Sequence, residues 1–249
     1  MLARARQTDL ETAPRPAGSR SADATRARIL DAARIEFVTE GLNGARVDRI
    51  AARSRTNKNL IYHHFGNKEG LYLRVLEDIY GALRAHQNDA EVANLSPIEG
   101  MKVLVGNTFD HFVATPDLIR LMSIENIHFA RHLKQSASVK QLYAPLLATI
   151  QSLLARGEAS GSFRANVDPV DLYLSISGLA YFYLSNQFTL SWLLDRDLVG
   201  AARLAERRQH IVEMILAYLQ DGAPKAGRRV RGGRPQSEGR RAAGSRRHV

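Results

Sequence analysis

Two short amphipathic segments, 47–54 and 58–64, restrict the fold more than any other feature of the sequence. Each is about two helical turns long, and an isolated helix of that length is not stable in water. The two helices must therefore share a core with a longer neighbour. Their apolar positions are spaced for this contact, and they are Val47, Ile50, Ala51, Ile61 and Phe65.

The longer neighbour precedes them. It begins near Thr25, a residue type that can cap a helix, and Ile29, Ala33 and Phe37 recur every four residues as one apolar stripe. Gly41 stands where this helix ends, because glycine adopts a positive φ easily. A fourth helix follows from Asn67, another capping residue, to about Asn88.

Packing of this kind leaves a polar face on the second short helix. Asn57, Lys58, Asn59, Tyr62 and His63 point outward, and a single helix has the width that the major groove of DNA admits. The sequence therefore predicts a helix-turn-helix that binds DNA. Adjacent His63 and His64 diverge on a helix and do not form a metal pair.

The net charge of +10 does not itself predict sequence-specific binding. Residues 222–249 carry +8 of it, whereas residues 25–221 carry only +1. We expect residues 1–22 to be a disordered arm, because they lack periodicity, and residues 222–249 to be a disordered basic tail.

Almost everything between these ends has helical periodicity. Beyond Pro97 we predict helices at 98–114, 117–132, 138–157, 169–187 and 198–220. The prediction is an all-α chain: a three-helix helix-turn-helix domain at 23–70, then a helical bundle at 71–221.

Motifs in residues 25–80 resemble the TetR family of bacterial regulators. The matching residues, in order and spacing, are Thr25-Arg26, Ile29-Leu30, Ala32-Ala33, Phe37, Gly41, Ile50-Ala51, Lys58, Tyr62-His63-His64-Phe65, Asn67-Lys68-Glu69 and Leu71. The resemblance implies that Lys58 and Tyr62 contact phosphates or adjacent base edges. It also implies that Lys68 holds the DNA backbone, helped by its helix dipole.

Four residues of this segment are candidates for base reading: Asn57, Asn59, Leu60 and His63. Asparagine can bond adenine bidentately, and leucine can pack on a thymine methyl. The chain departs from the family pattern at three places. Arg55 stands where the family has glycine in the turn, and a positive φ there strains an arginine. Ala45-Arg46 stands where the family has a hydroxyl residue, and Arg46 can contact a phosphate in its place. Asn59 stands where the family has a small residue.

The resemblance assigns the helical bundle to effector binding and dimerisation. Its apolar residues exceed what two helix faces need, so part of them can line a cavity, with an ordinary core as the alternative. The candidate pocket residues are Phe109, Phe112, Met122, Glu125, His128, Phe129, His132 and Tyr183. Glu125, His128 and His132 would share one helix face, which either faces the effector pocket or has a surface or interhelical role. A di-metal site would need a second Glu-x-x-His, which is absent, so we predict neither a metal nor a cofactor.

The last two long helices are expected to pair across a two-fold axis. The candidate interface residues are Leu179, Phe182, Ile211, Ile215 and Tyr218. Such symmetry would place two recognition helices roughly 34–36 Å apart, one DNA turn, and predicts a palindromic operator.

These expectations give the main hypothesis: a repressor whose partners are double-stranded operator DNA, a second copy and a small-molecule effector. The absence of cysteine indicates a reducing cytoplasm, and no apolar run reaches the roughly 18 residues of a membrane helix. The alternative hypothesis is an architectural DNA-binding protein of weak specificity, driven by the tail and steeply salt-dependent. An enzyme is not indicated, since no catalytic constellation is present.

Overall fold

A computed structural model of the chain describes residues 17–85, 92 and 94–223. This part contains eleven α-helices, one short 3₁₀ helix and no β-strand. The helices are α1 (Ala17–Gly44), α2 (Val47–Ser54), α3 (Lys58–Phe65), α4 (Lys68–Ala85), α5 (Pro97–Ala114), α6 (Pro116–Ile127), α7 (Ala137–Gln141), α8 (Tyr143–Ala159), α9 (Pro169–Ser185), α10 (Gln187–Leu193) and α11 (Ala201–Gln220), with the 3₁₀ helix at Leu133–Gln135. No helix among the described residues is both long and apolar enough to cross a bilayer.

The N-terminal helices pack around the apolar stripe of α1. Ile29 and Phe37 of this helix are fully buried, as is Ile50 of α2, and Ile61 is the buried residue of α3. The short helices therefore obtain from α1 the core that they cannot build themselves. Asn67 caps α4 as predicted, since its Oδ1 accepts a hydrogen bond from the Gly70 N–H at 2.7 Å.

Helix α1 differs from the prediction at both ends. It begins at Ala17 rather than near Thr25, so residues 17–22 are helical where we expected disorder. The predicted break at Gly41 is confirmed, but its φ of 65° and ψ of 176° lie in a region open essentially to glycine alone rather than in the left-handed helical region. The other residues of the predicted arm, 1–16, and tail residues 224–249 lie outside the described part, as does the predicted end of α4 near Asn88.

Helix α5 lies at the centre of the larger bundle, with α8, α9 and α11 packed against it. Its Met101, Val105 and Phe109 are buried in this core. The bundle meets the N-terminal helices through α4 and α6, both of which contact α1. At the second junction Arg34 of α1 forms an ion pair with Asp117 of α6 at 3.3 Å.

Three of the predicted long helices are shorter or divided. The helix predicted over 138–157 breaks at Leu142, because Pro145 has no N–H for the carbonyl of Gln141, four residues earlier. Helix α9 ends at Ser185, where the Asn186 side chain donates to the Phe182 carbonyl at 2.9 Å. Helix α11 begins after Gly200 because a turn closed by Asp197 precedes it.

Helix α6 shows the largest difference. Its predicted span ran to His132, yet it ends at Ile127 and the chain turns through Phe129 and Ala130, which have φ values of 57° and 54°. Glu125, His128 and His132 consequently do not share one helix face. The Glu125 carboxylate instead reaches past the turn and accepts hydrogen bonds from the N–H groups of His132 (3.2 Å) and Leu133 (3.0 Å).

Candidate nucleic-acid interface

A buried carboxylate fixes the start of α2 on α1. Glu36, which is 4% exposed, accepts hydrogen bonds from the Arg46 backbone N–H at 2.9 Å and from Arg49 Nε at 2.6 Å. Arg46 itself is the N-cap of α2, and its side chain makes no capping hydrogen bond. Arg46 is exposed to solvent beside the first turn of α2.

The turn between α2 and α3 has the left-handed geometry that the sequence pattern requires. Arg55 adopts φ 55° and ψ 43°. The Arg55 N–H donates to the Ala52 carbonyl and the Thr56 N–H donates to the Ala51 carbonyl at 3.0 Å. Arginine therefore occupies a conformation that costs an L-residue free energy, and the closed turn holds it there.

Helix α3 starts from a side-chain cap. Asn57 Oδ1 accepts the Leu60 N–H at 2.8 Å, so this oxygen is already engaged inside the protein. Bidentate reading of adenine needs both the oxygen and the nitrogen of the amide. In the structure Asn57 therefore positions the start of α3. The prediction that it reads bases did not take this cap into account.

The outer face of α3 is open to solvent. Asn59, Tyr62 and His63 are exposed, and Leu60 is half-buried. Tyr62 has an exposed fraction of 41%, whereas Ile61 next to it is 1% exposed. Neighbouring residues of one short helix thus divide sharply between the core and a polar surface.

Lys58, the first residue of α3, and Lys68, the first residue of α4, each have a partner within the chain. Lys58 Nζ pairs with Asp48 of α2 at 2.6 Å, with both side chains about half exposed. Lys68 Nζ donates to the Ala45 carbonyl at 3.2 Å, which ties the start of α4 to the start of α2. Asp48 was not predicted as a partner of Lys58, because their contact joins two helices across a turn.

The predicted pocket residues do not gather around one space. Phe109, Phe112 and Tyr183 are core residues, and the Tyr183 hydroxyl donates to the Leu198 carbonyl at 2.6 Å. Glu125 and His132 form a buried pair, with Oε1 and Nδ1 separated by 2.9 Å. Met122 is half-buried and His128 exposed, while Phe129 is 83% exposed because it lies at the tip of the turn after α6.

The predicted dimer residues separate into two groups. Ile211 and Ile215 are already buried within the single chain, so neither needs a second copy to cover it, although Ile215 also borders a recess between α9 and α11. Phe182 and Tyr218 are exposed, and Leu179 is half-buried. The exposed apolar surface also includes residues that the prediction missed, Leu174 of α9 and Met214 of α11. A four-residue repeat along α9, from Val170 through Leu174 and Gly178 to Phe182, was the available signal.

The N-terminal geometry defines the class of this molecule. Two short helices joined by a left-handed turn, with the second one polar and exposed, form a helix-turn-helix for DNA. Residues 29–75 match the family model described as "Bacterial regulatory proteins, tetR family", and residues 97–215 match "Tetracyclin repressor-like, C-terminal domain". The chain belongs to the TetR family of transcriptional regulators.

Individual relatives agree with this assignment. The HTH-type transcriptional repressor NicS of Pseudomonas putida is 31% identical over 202 residues, which cover 81% of this chain and 95% of NicS. The HTH-type transcriptional repressor SCO4008 of Streptomyces coelicolor is 35% identical over 217 residues, 85% of this chain and 97% of that protein. The crystal structure of the regulator SCO4942 from Streptomyces coelicolor has a TM-score of 0.58 at 29% identity and covers 80% of this chain and 99% of that one. All three are described as regulators and not as enzymes, and the all-α prediction with an N-terminal helix-turn-helix is confirmed.

Proposed function

We propose that this protein is a repressor that binds a palindromic operator as a homodimer and leaves it when a small-molecule effector binds. The observation that carries the proposal is the exposed polar face of α3, on a helix whose other side is buried. The description of NicS and SCO4008 as repressors supports the direction of regulation. Such a protein works beside the chromosome, in the cytoplasm.

The contacts with DNA follow from the positions of the side chains. Asn59 and His63 face the base edges from the exposed side of α3, with Leu60 at its margin. Lys58 exchanges Asp48 for a phosphate, while Tyr62, Arg46 and Lys68 contact the backbone. Asn57 contributes through the helix cap. Phosphate contacts fix the register of α3, and base contacts select the sequence.

Dimerisation is supported by the apolar surface of α9 and α11, which we name the α9/α11 face: Leu174, Gly178, Phe182, Met214 and Tyr218. Phe182 and Leu174 are 60% and 59% exposed and lie eight residues apart on one side of α9, so they form part of an exposed apolar patch. A recess of about 440 Å³ lies between the two helices of this face. A two-fold axis lets each copy fill the recess of the other, and the same axis repeats α3 for a palindromic site.

Release by an effector requires that the bundle and the helix-turn-helix move together. Contacts that could transmit such a change cross the junction: the Arg34–Asp117 ion pair, and a row of rings in which Tyr72 of α4 meets Phe37 at 5.1 Å and His132 at 5.2 Å. An effector changes operator affinity only if it prefers one arrangement of this junction.

The test is selection of genomic DNA fragments by the purified protein, followed by footprinting near physiological salt. The full chain and a chain ending at residue 221 are compared. A single palindromic footprint, retained by the shorter chain, is the expected result. Lys58→Ala and Tyr62→Ala should abolish the footprint, because they remove contacts on the recognition helix.

Lys102→Ala is the matched control, since Lys102 is paired with Glu99 on α5 in the bundle and should bind the operator like the wild type. Unselective recovery of fragments, or binding that disappears with the tail, would contradict the proposal. Either result would favour the architectural, tail-driven alternative.

A further inference from the structure

A groove of about 470 Å³ lies between the two parts of the molecule. Val38 of α1 forms one wall of the groove, and Ile119 and Ile124 of α6 form another. Leu184 and Phe188 close its far end, at the corner between α9 and α10. Its volume lies within the roughly 300–1,000 Å³ of small-molecule sites. None of the pocket residues predicted from the sequence lines it.

The charge of this groove is of one sign. Arg120 is the only charged residue among the described residues that line it. Its side chain is exposed, and no ion pair or hydrogen bond holds it within the part of the chain that the structure describes. Asp117, one helical turn away, is already paired with Arg34 at 3.3 Å. An uncompensated guanidinium therefore borders an apolar surface.

The uncharged polar groups of the groove are largely committed within the protein. The Ser123 hydroxyl donates to the Ile119 carbonyl at 2.9 Å, so its oxygen must accept the proton of the Tyr181 hydroxyl, also at 2.9 Å. Gln187 Nε2 donates to the Leu184 carbonyl at 2.9 Å. Arg120 is consequently the strongest donor that the groove offers to a negatively charged group.

We propose that this groove is the effector site and that it binds a small organic anion, a carboxylate with an apolar body. The assignment rests on the proposed function as an effector-released repressor. The carboxylate accepts from the planar guanidinium of Arg120, and the apolar body covers Ile119, Ile124 and Phe188. Since Val38 belongs to α1, the ligand touches both sides of the junction and stabilises the arrangement of α1 and α6 that fits it.

Trp192 gives a direct measurement of binding, because it is the only tryptophan of the chain and follows Phe188 by one turn of α10. Its fluorescence is followed during titration with sodium octanoate, sodium benzoate and the uncharged 1-octanol. Octanoate or benzoate should bind the wild type. Arg120→Gln should weaken that binding by about tenfold or more, since a hydrogen bond to a charged group is lost. Arg131→Gln, at an exposed site outside the groove, is the matched control and should bind like the wild type.

Two further measurements make the test decisive. Ser185→Phe places a ring in the groove and should remove the binding of every probe that binds the wild type. A cooperative unfolding transition, followed by circular dichroism, would show that this variant is folded. The bound carboxylate should also release the wild type, but not Arg120→Gln, from the selected operator.

Equal carboxylate affinity in Arg120→Gln and wild type would overturn the site, as would the absence of binding to the wild type. If carboxylates bind in an Arg120-dependent way but operator affinity does not change, the groove binds anions and is not the effector site. A protein that selects no operator at all would contradict the proposed function, while the Trp192 titration would still decide whether the groove binds anions.

Discussion

At the scale of single residues, the turn of the helix-turn-helix contains a correctable strain. Arg55 has φ 55°, which costs a residue with a Cβ about 1–2 kcal/mol relative to the right-handed region. Arg55→Gly removes that cost but adds chain entropy to the unfolded state, about 0.5–1 kcal/mol. We expect a net gain of about 0.5 kcal/mol in the free energy of unfolding, measured by urea denaturation.

The matched control for Arg55→Gly lies two residues earlier. Arg53 is in the last turn of α2, where its backbone is helical. Arg53→Gly should therefore lower the free energy of unfolding by about 1 kcal/mol. Equal destabilisation by both glycines would mean that the turn holds no strain.

Arg46 separates the demands of stability from those of DNA binding. It occupies the N-cap of α2 with extended backbone (φ −118°, ψ 121°) and no side-chain cap. Arg46→Ser supplies the missing capping oxygen and should raise the free energy of unfolding by about 1 kcal/mol. The same change removes one phosphate contact, so operator affinity should fall and its salt dependence should decrease by about one counterion.

The two effects of Arg46→Ser are measured separately, by urea denaturation and by fluorescence anisotropy of a labelled operator over a range of KCl concentrations. Higher stability with an unchanged salt dependence would show that Arg46 does not contact the DNA backbone.

At the scale of elements, the sequence predicted those features that depend on local pattern. The short helices α2 and α3 lie where their spacing placed them, and Asn67 caps α4 as its residue type suggested. The end of α6 was not predictable in this way. Residues 127–132 contain no glycine or proline, and the break depends on Glu125 bonding backbone groups seven and eight residues later. A periodicity of 3.6 residues carries no information about such a contact.

This turn leads to a prediction for Glu125. Its side chain is 3% exposed, and its carboxylate accepts hydrogen bonds from two backbone N–H groups. One carboxylate oxygen also lies 2.9 Å from His132 Nδ1. Glu125→Gln replaces one acceptor by an N–H₂ group that faces donors, and it should lower the free energy of unfolding by about 2 kcal/mol. Glu158→Gln, an exposed site on α8, is the control and should change stability by less than about 0.5 kcal/mol. Similar urea midpoints for both variants would show that the carboxylate does not hold the turn.

The contact between α4 and α7 gives a prediction about pH. Burial tends to raise the pKa of Glu77, but hydrogen bonds from Ser136, Arg74 and Ser138 outweigh it and hold the pKa below the usual 4.5. A carboxyl whose pKa is lowered by folding stabilises the protein above pH 4.5, and this contribution disappears as the pH falls through the folded-state pKa.

Glu77→Gln removes that contribution. The variant should be less stable than the wild type at neutral pH, and the difference should shrink as the pH is lowered below 4.5. Urea denaturation at several pH values measures both proteins, with Glu158→Gln again as the control. A difference that stays constant with pH would mean that Glu77 is not the group that titrates.

At the scale of the whole molecule, the order of the two domains could be predicted from the sequence. The residues that form the surface toward a second copy and the effector pocket could not. Ile211 and Ile215 were assigned to a second copy, yet they are buried against this chain's own core. When a helix has two apolar faces, its composition does not show which face is buried in the core and which is exposed. The same limit applied to the pocket residues, since most of those apolar side chains fill the interior around α5.

The α9/α11 face makes the last prediction. Tyr218 and Phe182 are 48% and 60% exposed, so replacing either by glutamate does not disturb the core of one chain. In a two-fold interface each substitution acts twice and puts carboxylates into an apolar recess without partners, which strongly opposes association. Sedimentation velocity should show dimers of the wild type and monomers of Tyr218→Glu. Operator affinity should fall by orders of magnitude, because a lone chain reads one half-site.

Ile127→Glu, at an exposed position at the end of α6, is the control and should remain a dimer. If Tyr218→Glu and Phe182→Glu both stayed dimeric, the two copies would have to meet through another surface, and the half-site spacing argued from this face would no longer follow.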